Sequence, residues 1–289
     1  MALNVAKIFT RRNFVRVVVG GVVGAAVGGG YSRWAEPQWL EVEQVKVRLG
    51  DGTPGPVIRV LHLSDFHASP AVSLKFIAKA IALGLAQRPD VVVLTGDFFT
   101  DHLTDGALYA EILARLSAVA PTFACLGNHD GGSWSRRAGG AATVDGALEL
   151  LRSARIPCLV NRSETIVVRG QPIQFIGVGD LWASMCLPAV AFAQTPPRDS
   201  AWRIVLNHNP DAKVLLRPFD WDVVLCGHTH GGQIRLPFFG TPFAPVSDKR
   251  YVAGLHRWEN RWLYVTRGVG NLHGVRFNCR PQVSIVELS

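Results

Sequence analysis

Val91-Val92-Val93-Leu94-Thr95-Gly96-Asp97 is the stretch of sequence that decides the fold. Its continuous apolar run, rich in β-branched residues, is typical of a strand that is buried on both faces of a sheet. The run stops at a glycine and a carboxylate. The stretch therefore predicts a layered α/β core and a polar side chain at the carboxyl end of one of its strands.

Four other predicted strands end in the same way, with an apolar run that stops near Asp, Asn or His. Their ends read Leu63-Ser64-Asp65-Phe66-His67, Leu126-Gly127-Asn128-His129-Asp130, Leu206-Asn207-His208-Asn209 and Leu225-Cys226-Gly227-His228-Thr229-His230. Loops at the carboxyl ends of strands converge on one crevice in α/β sheets, so we expect these groups to meet. If the backbone stays extended, Asp65 and His67 point to one side, and so do His228 and His230.

Hydrophobic periodicity predicts alternating strands and helices up to residue 154 and mostly strands after it. Helices are predicted at residues 73–88, 107–118 and 144–154. Strands are predicted at residues 57–63, 90–94, 122–126, 164–168, 173–176, 203–206, 223–226, 262–266 and 283–287. This order indicates an α/β fold in which two mixed sheets pack face to face with helices outside.

The composition supports one large folded domain. Hydrophobic residues make up 48% of the 289 residues and charged residues 18%, which excludes a disordered polymer. No linker interrupts the sequence after residue 57, so we predict a domain over residues 57–289 and a connecting segment over residues 31–56. The net charge of +8 favours anionic partners, but no basic block is interleaved with aromatic residues, so nucleic acid is not expected.

Residues 1–30 predict a targeting segment. Arg11 and Arg12 precede Phe14 and a glycine-rich apolar stretch at residues 17–30. This pattern resembles a twin-arginine signal, which exports folded proteins. No clear cleavage site follows, so a membrane tether is a second interpretation and a basic N-terminus with a peripheral helix is a third. Because basic flanks stay in the cytoplasm, we expect the domain in the bacterial cell envelope, periplasmic or at the extracytoplasmic face of the inner membrane.

The strand-end blocks D-x-H, G-D, G-N-H-D, H and G-H-x-H, in this order, resemble those of the calcineurin-like metallophosphoesterases. The likeness runs from about residue 58 to residue 230, and residues 243–251 and 266–270 extend it to the YaeI-type bacterial phosphodiesterases. The resemblance implies a four-layer αββα metallophosphoesterase sandwich. It also implies a phosphodiester hydrolase that depends on two metals, in which a metal-bridging hydroxide attacks phosphorus.

The same resemblance implies the ligands of two divalent metal ions. One metal would be held by Asp65, His67, Asp97 and His230. The other would be held by Asp97, which bridges the metals, and by Asn128, His208 and His228. His129 is implied as a catalytic residue that faces the substrate, with Asp130 orienting its imidazole. A mixed set of imidazole, carboxylate and carboxamide ligands favours Mn²⁺, with Fe or Zn²⁺ as alternatives.

The sequence leaves several functions open. The first is a phosphodiesterase or pyrophosphatase on a small or lipid-linked substrate such as UDP-2,3-diacylglucosamine, which is made on the cytoplasmic side and so conflicts with an export signal. The second is a phosphomonoesterase on the same scaffold. The third is a tethered metal or anion binder without turnover. The presence of Asn128-His129-Asp130 argues against it, because His129 has no evident use in metal binding.

Other polar and aromatic residues receive weaker predictions. His62 falls on the opposite strand face from Asp65, which favours a core or surface histidine over a ligand. Arg267 is predicted either to contact a substrate phosphate or to form a structural ion pair. Trp34 and Trp39 follow the apolar stretch and are candidates for a membrane interface. The five cysteines show no CxxC pairing, so free thiols are expected.

Overall fold

The computed structural model describes residues 11–49 and 55–289. The predictions for residues 1–10 of the targeting segment and 50–54 of the connecting segment lie outside these residues. Helix α1 spans Arg11–Gly30 and is followed by short turns at Tyr31–Ala35 and Glu36–Gln38. Among the described helices, none is both long and apolar enough to cross a membrane.

The first of two sheets has five strands. They are β1 (Glu41–Val47), β2 (Ile58–Leu63), β3 (Val91–Thr95), β4 (Thr122–Cys125) and β11 (Gln282–Leu288), in the spatial order β1-β11-β2-β3-β4. Strands β2, β3 and β4 run parallel, and β11 lies between β1 and β2, parallel to the first and antiparallel to the second. Leu63 pairs with Leu94, so the polar ends of β2 and β3 come out side by side.

The second sheet has six strands. They are β5 (Arg162–Val168), β6 (Gln171–Gly177), β7 (Trp202–Leu206), β8 (Val223–Cys226), β9 (Gly254–Trp258) and β10 (Arg261–Val265), in the order β5-β6-β7-β8-β10-β9. Strands β6, β7, β8 and β10 are parallel, with an antiparallel strand at each edge. Leu206 pairs with Leu225, which brings the ends of β7 and β8 together.

Helices cover the outer faces of both sheets. Helices α2 (Leu74–Leu85), α3 (Gly106–Ser117) and α5 (Asp145–Ser153) pack on the first sheet, and the short α4 (Ser133–Arg137) lies in the loop after β4. Helices α6 (Pro188–Ala193) and α7 (Lys213–Leu216) contribute Ala191 and Leu216 to the core on the second sheet. Side-chain oxygens of Ser73 and Asp105 cap the first turns of α2 and α3.

Strand β3 shows how the layers are built. Val91 and Val93 point into the core between the two sheets, whereas Val92 and Leu94 point into the core beneath the helices. A strand covered on both faces has no solvent side, which explains its unbroken apolar run. The four-layer αββα sandwich of two mixed sheets is therefore confirmed.

Two edge strands were not predicted. The residues predicted as a connecting segment, 31–56, include β1, so that part of the prediction is wrong. Strand β1 reads EVEQVKV, and its polar side chains remain partly exposed because it lies at the edge of the sheet. Strand β9 is also an edge strand, with the sequence GLHRW. Edge strands lack the apolar signal of central ones, and the pairing of β1 with distant β11 leaves no local trace.

Candidate metal centre

The predicted metal ligands gather in one buried crevice at the carboxyl ends of β2, β3, β4, β7 and β8. All seven side chains are at most 4% exposed. The ligand atoms of Asp65, His67 and His230 lie within 4.8 Å of one another, and so do those of Asp97, His208 and His228. The crevice thus contains two neighbouring groups, each drawn from both sheets.

Asp97 lies between the two groups. Its Oδ2 atom is 3.3 Å from Nε2 of His67 and 3.1 Å from Nε2 of His208. Its other oxygen, Oδ1, accepts a hydrogen bond of 2.9 Å from the backbone N–H of His129. One carboxylate therefore faces imidazoles of both groups, the position that a bridging ligand requires.

The donor atoms fit divalent cations. Nδ1 of His208 donates to the carbonyl of Thr95 at 2.6 Å, which makes Nε2 the nitrogen that can bind metal once a cation displaces its proton. The Nε2 atoms of His67 and His230 face each other at 3.0 Å. Three buried atoms, Nε2 of His228, Nδ1 of His230 and Oδ1 of Asn128, have no hydrogen-bond partner in the described part of the chain. Such atoms cost about 1–3 kcal/mol each unless a ligand satisfies them.

The pKa shifts favour neutral imidazoles at two ligands. Burial lowers the pKa of His228 and of His230, and the neighbouring His208 and His67 lower them further. Both rings are therefore neutral at pH 7, the form that binds metal. Burial also opposes a charge on His208, but the adjacent Asp97 outweighs it and raises the pKa of His208.

The ligand side chains converge for a reason that differs from the predicted one, which was an extended backbone. Asp65, His67, Asp97, His228 and His230 all have positive φ, between 47° and 70°. The prediction from extended backbone, that residues i and i+2 share a side, is therefore wrong for both pairs. The side chains meet because the chain turns sharply where the strands end. Hydrogen bonds from Asp65 N to Gly96 O and from His67 N to Asp97 O, both 3.0 Å, fix these turns. Positive φ is uncommon outside glycine and clusters at functional sites.

Two glycines permit the close approach of the loops. A Cβ on Gly127 would lie 2.2 Å from Oδ1 of Asp97, and one on Gly227 would lie 2.3 Å from Oδ2 of Asp65. Neither distance is tolerable between heavy atoms. Glycine is therefore required at both positions for the carboxylates to keep their places.

His129 and Asp130 are not partners. Nδ1 of His129 donates to the carbonyl of Thr100 at 2.7 Å. The Asp130 carboxylate instead accepts from the backbone N–H groups of Asp97 (2.8 Å), Phe98 (2.7 Å) and Gly127 (2.7 Å). The prediction that Asp130 orients the His129 imidazole is therefore wrong. Asp130 joins the loops after β3 and β4, and the carbonyl of Thr100 orients His129.

An aromatic wall borders the crevice, and sequence reasoning missed its role. The Trp134 ring lies 4.8 Å from that of His129, the Trp182 ring 4.4 Å from that of His228, and the two indoles 5.6 Å from each other. Neither tryptophan follows a strand end, so nothing in the strand-end pattern indicated them.

The remaining candidates have structural roles. Nε2 of the buried His62 pairs with Oγ1 of Thr95 at 2.8 Å, and burial lowers the pKa of His62 to about 3. Arg267 forms a 2.8 Å ion pair with Glu41 on β1, which decides between its two interpretations. All five cysteines are free.

Comparisons with known proteins agree with this geometry. Residues 58–232 match the family model of calcineurin-like phosphoesterases. The chain is 41% identical to the phosphodiesterase YaeI of Escherichia coli K12, over 96% of this chain and 99% of YaeI. It is 27% identical to the uncharacterized metallophosphoesterase YkuE of Bacillus subtilis, over 98% of each chain. It is 26% identical to the UDP-2,3-diacylglucosamine pyrophosphatase LpxG of Chlamydia muridarum, over 79% of this chain and 83% of LpxG. The chain therefore belongs to the calcineurin-like phosphoesterase family.

Proposed function

We propose that the protein hydrolyses phosphodiesters with two divalent cations bound in the candidate metal centre. The observation that carries this proposal is the position of Asp97, whose carboxylate contacts imidazoles of both ligand groups. One cation would be held by Asp65, His67, Asp97 and His230. The other would be held by Asp97, Asn128, His208 and His228. When bound, the cations neutralise the phosphoryl oxygens and lower the pKa of a coordinated water.

His129 is the side chain proposed to move a proton. The bond from its Nδ1 to the Thr100 carbonyl leaves Nε2 as the ring nitrogen that can exchange a proton. A ring nitrogen of His129 lies within 4.8 Å of ligand atoms of His67 and Asp97, so the three form a third close group. Because Nδ1 is already protonated, a proton at Nε2 makes the ring an imidazolium. Burial lowers the pKa of His129 and opposes this form, whereas the neighbouring Asp97 favours it. In that form His129 can donate the Nε2 proton to the leaving oxygen and return to the neutral ring. Trp134 and Trp182 would limit the access of water to the crevice.

Mn²⁺ is the cation that we propose, with Fe and Zn²⁺ as alternatives. The six charged or imidazole ligands and one carboxamide offer nitrogen and oxygen atoms and no thiolate. The sulfur atoms of the buried Cys125 and Cys226 do not join either ligand group. This donor set differs from the thiolate-rich sites that are typical of structural zinc.

Two alternative substrate classes would use the same metal centre. The likeness to LpxG supports a pyrophosphatase that acts on a lipid-linked nucleotide sugar, although its 26% identity is well below the 41% shared with YaeI. A phosphomonoesterase needs the same ligands. The proposed order of preference is therefore diester, lipid-linked pyrophosphate, then monoester.

We also propose where the domain works. The twin arginines and apolar stretch of residues 11–30 support export of the folded domain, residues 57–289 together with β1, to the cell envelope. The N-terminal segment would associate with the inner membrane on its outer side. Fusing a reporter that is active on only one side of the membrane after residue 289 would test this orientation.

The activity is tested with the purified full chain and paired chromogenic substrates, a phosphodiester and its monoester. Each is assayed after chelation of metal and after addition of Mn²⁺, Fe²⁺ or Zn²⁺. We expect chelation to abolish turnover of the diester, Mn²⁺ to restore it best, and the diester to be cleaved faster than the monoester. Elemental analysis should find about two metal ions per chain.

Asp97→Asn is the decisive variant, and Asp101→Asn is its matched control four residues further on. Losing the bridging charge should lower kcat/KM by on the order of 1,000-fold and reduce bound metal. Asp101→Asn should leave both values unchanged, because Asp101 joins none of the metal-ligand groups. Equal turnover by Asp97→Asn and the wild type would refute the two-metal proposal.

A further inference from the structure

A short hairpin beside the metal centre exposes aromatic side chains. Leu236 and Gly240 exchange backbone hydrogen bonds of 2.8 and 3.0 Å, and Pro237, Phe238 and Phe239 form the tip between them. Relative to its reference state, the Phe238 side chain is 104% exposed, and that of Phe239 is 79% exposed. Phe243, three residues after the hairpin, is 70% exposed. We term Phe238, Phe239 and Phe243 the aromatic tip.

The backbone at the aromatic tip is strained for the residue that it carries. Phe238 has a φ of 65°. A bulky side chain seldom adopts this left-handed conformation, and turns that require it ordinarily carry glycine or asparagine. The Phe238 ring makes no packing contact that would offset the strain, since it is fully exposed. An exposed aromatic group in an unfavourable conformation indicates a binding surface rather than a folding requirement.

The base of the hairpin is firmly held. Arg235 N donates to Phe277 O at 2.8 Å, and Phe277 N donates to Gln233 O at 3.0 Å. The same segment contacts the residues after α1 on its other side, where Arg276 N donates to Ser32 O at 2.9 Å and Asn278 N donates to Glu36 at 2.9 Å. The segment 272–280 thus joins the hairpin to the stretch that follows the apolar N-terminal helix.

Two more exposed aromatic rings lie in that stretch. Trp34 is 74% exposed and Trp39 is 54% exposed, with the guanidinium of Arg280 over the Trp39 ring at 4.2 Å. Tryptophan is enriched at the level of the lipid headgroups, and arginine is attracted to anionic lipids. The N-terminal segment and the aromatic tip therefore approach the same part of the surface.

Cations surround the aromatic tip. Arg235, Lys249 and Arg250 are exposed and line one shallow cavity together with Gly240 and Thr241. Arg250 is paired with Asp248, whereas Arg235 and Lys249 form no ion pair within the described residues. Among the residues that the structure describes, no Asp or Glu lines this cavity. The Lys249 ammonium donates to the carbonyl of Ala244, which leaves its charge without an acidic partner. Protruding phenylalanines beside cations that lack acidic partners complement an apolar layer beneath anionic headgroups.

The aromatic tip also reaches the metal centre. Phe243 lines a cleft with Leu272, Gln233 and the metal-ligand candidate His230. A lipid surface that meets the aromatic tip would therefore lie next to the mouth of the crevice.

We propose that the aromatic tip docks the protein on a bilayer that contains anionic phospholipids. The phenylalanine rings enter the interface, and Arg235 and Lys249 contact lipid phosphates. A second copy of the chain is a poorer occupant, because a symmetric contact would bring these cations against their own copies at a net charge of +8. Docking does not depend on the proposed hydrolysis, since the tip contains no metal ligand.

Vesicle flotation of the full chain tests this proposal. The vesicles contain phosphatidylcholine alone or phosphatidylcholine with phosphatidylglycerol, and the protein is wild type or carries Phe238→Asn and Phe239→Ser together. Asparagine tolerates the left-handed conformation at residue 238, so the hairpin should persist. We expect the double variant to partition at least about tenfold more weakly into anionic vesicles. Wild-type binding should be stronger to anionic than to neutral vesicles.

A matched control carries Val119→Ser and Val167→Ser, which remove two exposed apolar side chains elsewhere, 61% and 67% exposed. The control keeps the N-terminal segment and loses a similar number of exposed apolar side chains. It should float like the wild type. Equal flotation of the double variant and the control would overturn the proposal. A wild type that does not float, or a double variant that loses only self-association by light scattering, would also overturn it.

Two readouts separate docking from catalysis. Flotation should persist after chelation of metal, and the double variant should hydrolyse a soluble diester within about twofold of the wild type, since Phe238 and Phe239 do not line the cleft at His230. A protein without hydrolase activity that still floats through its aromatic tip would refute the proposed function and support the docking.

Discussion

The metal centre and the aromatic tip depart from ordinary burial in opposite directions. At the metal centre, carboxylates and imidazoles lie fully buried, whereas at the tip phenylalanine rings lie in solvent. Both regions hold non-glycine residues at positive φ, Asp97 at 56° and Phe238 at 65°. Strain in a loop therefore does not reveal which kind of function it serves.

The surroundings of the strained residues do distinguish the two regions. Asp97 accepts and donates hydrogen bonds and faces the imidazole of His208, so its position is fixed before any ligand binds. Phe238 is held only by the backbone hydrogen bonds of its hairpin, and its side chain is fully exposed. Preorganisation suits a small cation that requires defined geometry, whereas a fluid bilayer requires only protruding apolar area.

Gly127→Ala should break the metal centre most severely. The new Cβ would lie 2.2 Å from Oδ1 of Asp97 and 2.6 Å from its backbone nitrogen, so the loop must move. We expect a loss of about 3 kcal/mol in the free energy of unfolding and no measurable diester hydrolysis. Denaturant titration measures the first and the chromogenic assay the second.

Gly146→Ala is the control, because its Cβ would meet nothing within 4 Å in α5. It should be neutral or stabilising by up to about 1 kcal/mol. A Gly127→Ala variant as stable as Gly146→Ala would show that the loops are looser than the structure indicates.

His129→Ala should separate chemistry from metal binding. We expect kcat to fall about 100-fold while two metal ions remain bound, because its Nδ1 is occupied by the Thr100 carbonyl and its proposed task is proton transfer. Elemental analysis and steady-state kinetics check this. Loss of metal in parallel with activity would make His129 a ligand instead.

Asp130→Asn should damage the framework rather than the proton transfer. An asparagine NH₂ cannot accept the backbone N–H groups that the carboxylate now accepts, so we expect a loss of about 2 kcal/mol in the free energy of unfolding. Metal affinity should fall about tenfold because the loop that carries Asp97 shifts. An unchanged melting temperature with reduced kcat alone would restore the discarded role of orienting His129.

Phe238→Asn should give the smallest effect and the opposite sign. Relief of the left-handed strain should raise the free energy of unfolding by about 1 kcal/mol, and no packing is lost. Thermal unfolding of the single variant checks this. Destabilisation would mean that the ring has a structural contact, which would weaken the contrast between the two regions.

The sequence predicted the polar strand ends well because each lies directly after an apolar run. Strand β3 and the block at Asn128 can be predicted from consecutive residues. Burial on both faces gives a continuous apolar run, and a glycine follows its end. The same locality explains why the seven side chains that converge in the crevice could be named from the sequence. The partner of Asp130 was not readable, because backbone N–H groups have no identity in the sequence.

Other features depended on contacts between distant segments. Strand β1 is recognisable only through its pairing with β11, and the aromatic wall only through the packing of Trp134 against Trp182. The exposure of Phe238 could not be inferred either, because an apolar residue in an unassigned loop is equally compatible with burial. Sequence patterns thus specify the chemistry of the site better than its surroundings.

The position of β11 between β1 and β2 has a consequence for how the chain is made. Strand β1 ends at Val47 and β11 begins at Gln282, so at about 20 residues per second the ribosome needs roughly 12 seconds between them. During that interval the nascent chain carries β1 without its neighbour, and the sheet that supports Asp65 and Asp97 is open along β2. Metal loading should therefore follow the emergence of β11 from the ribosome rather than accompany translation.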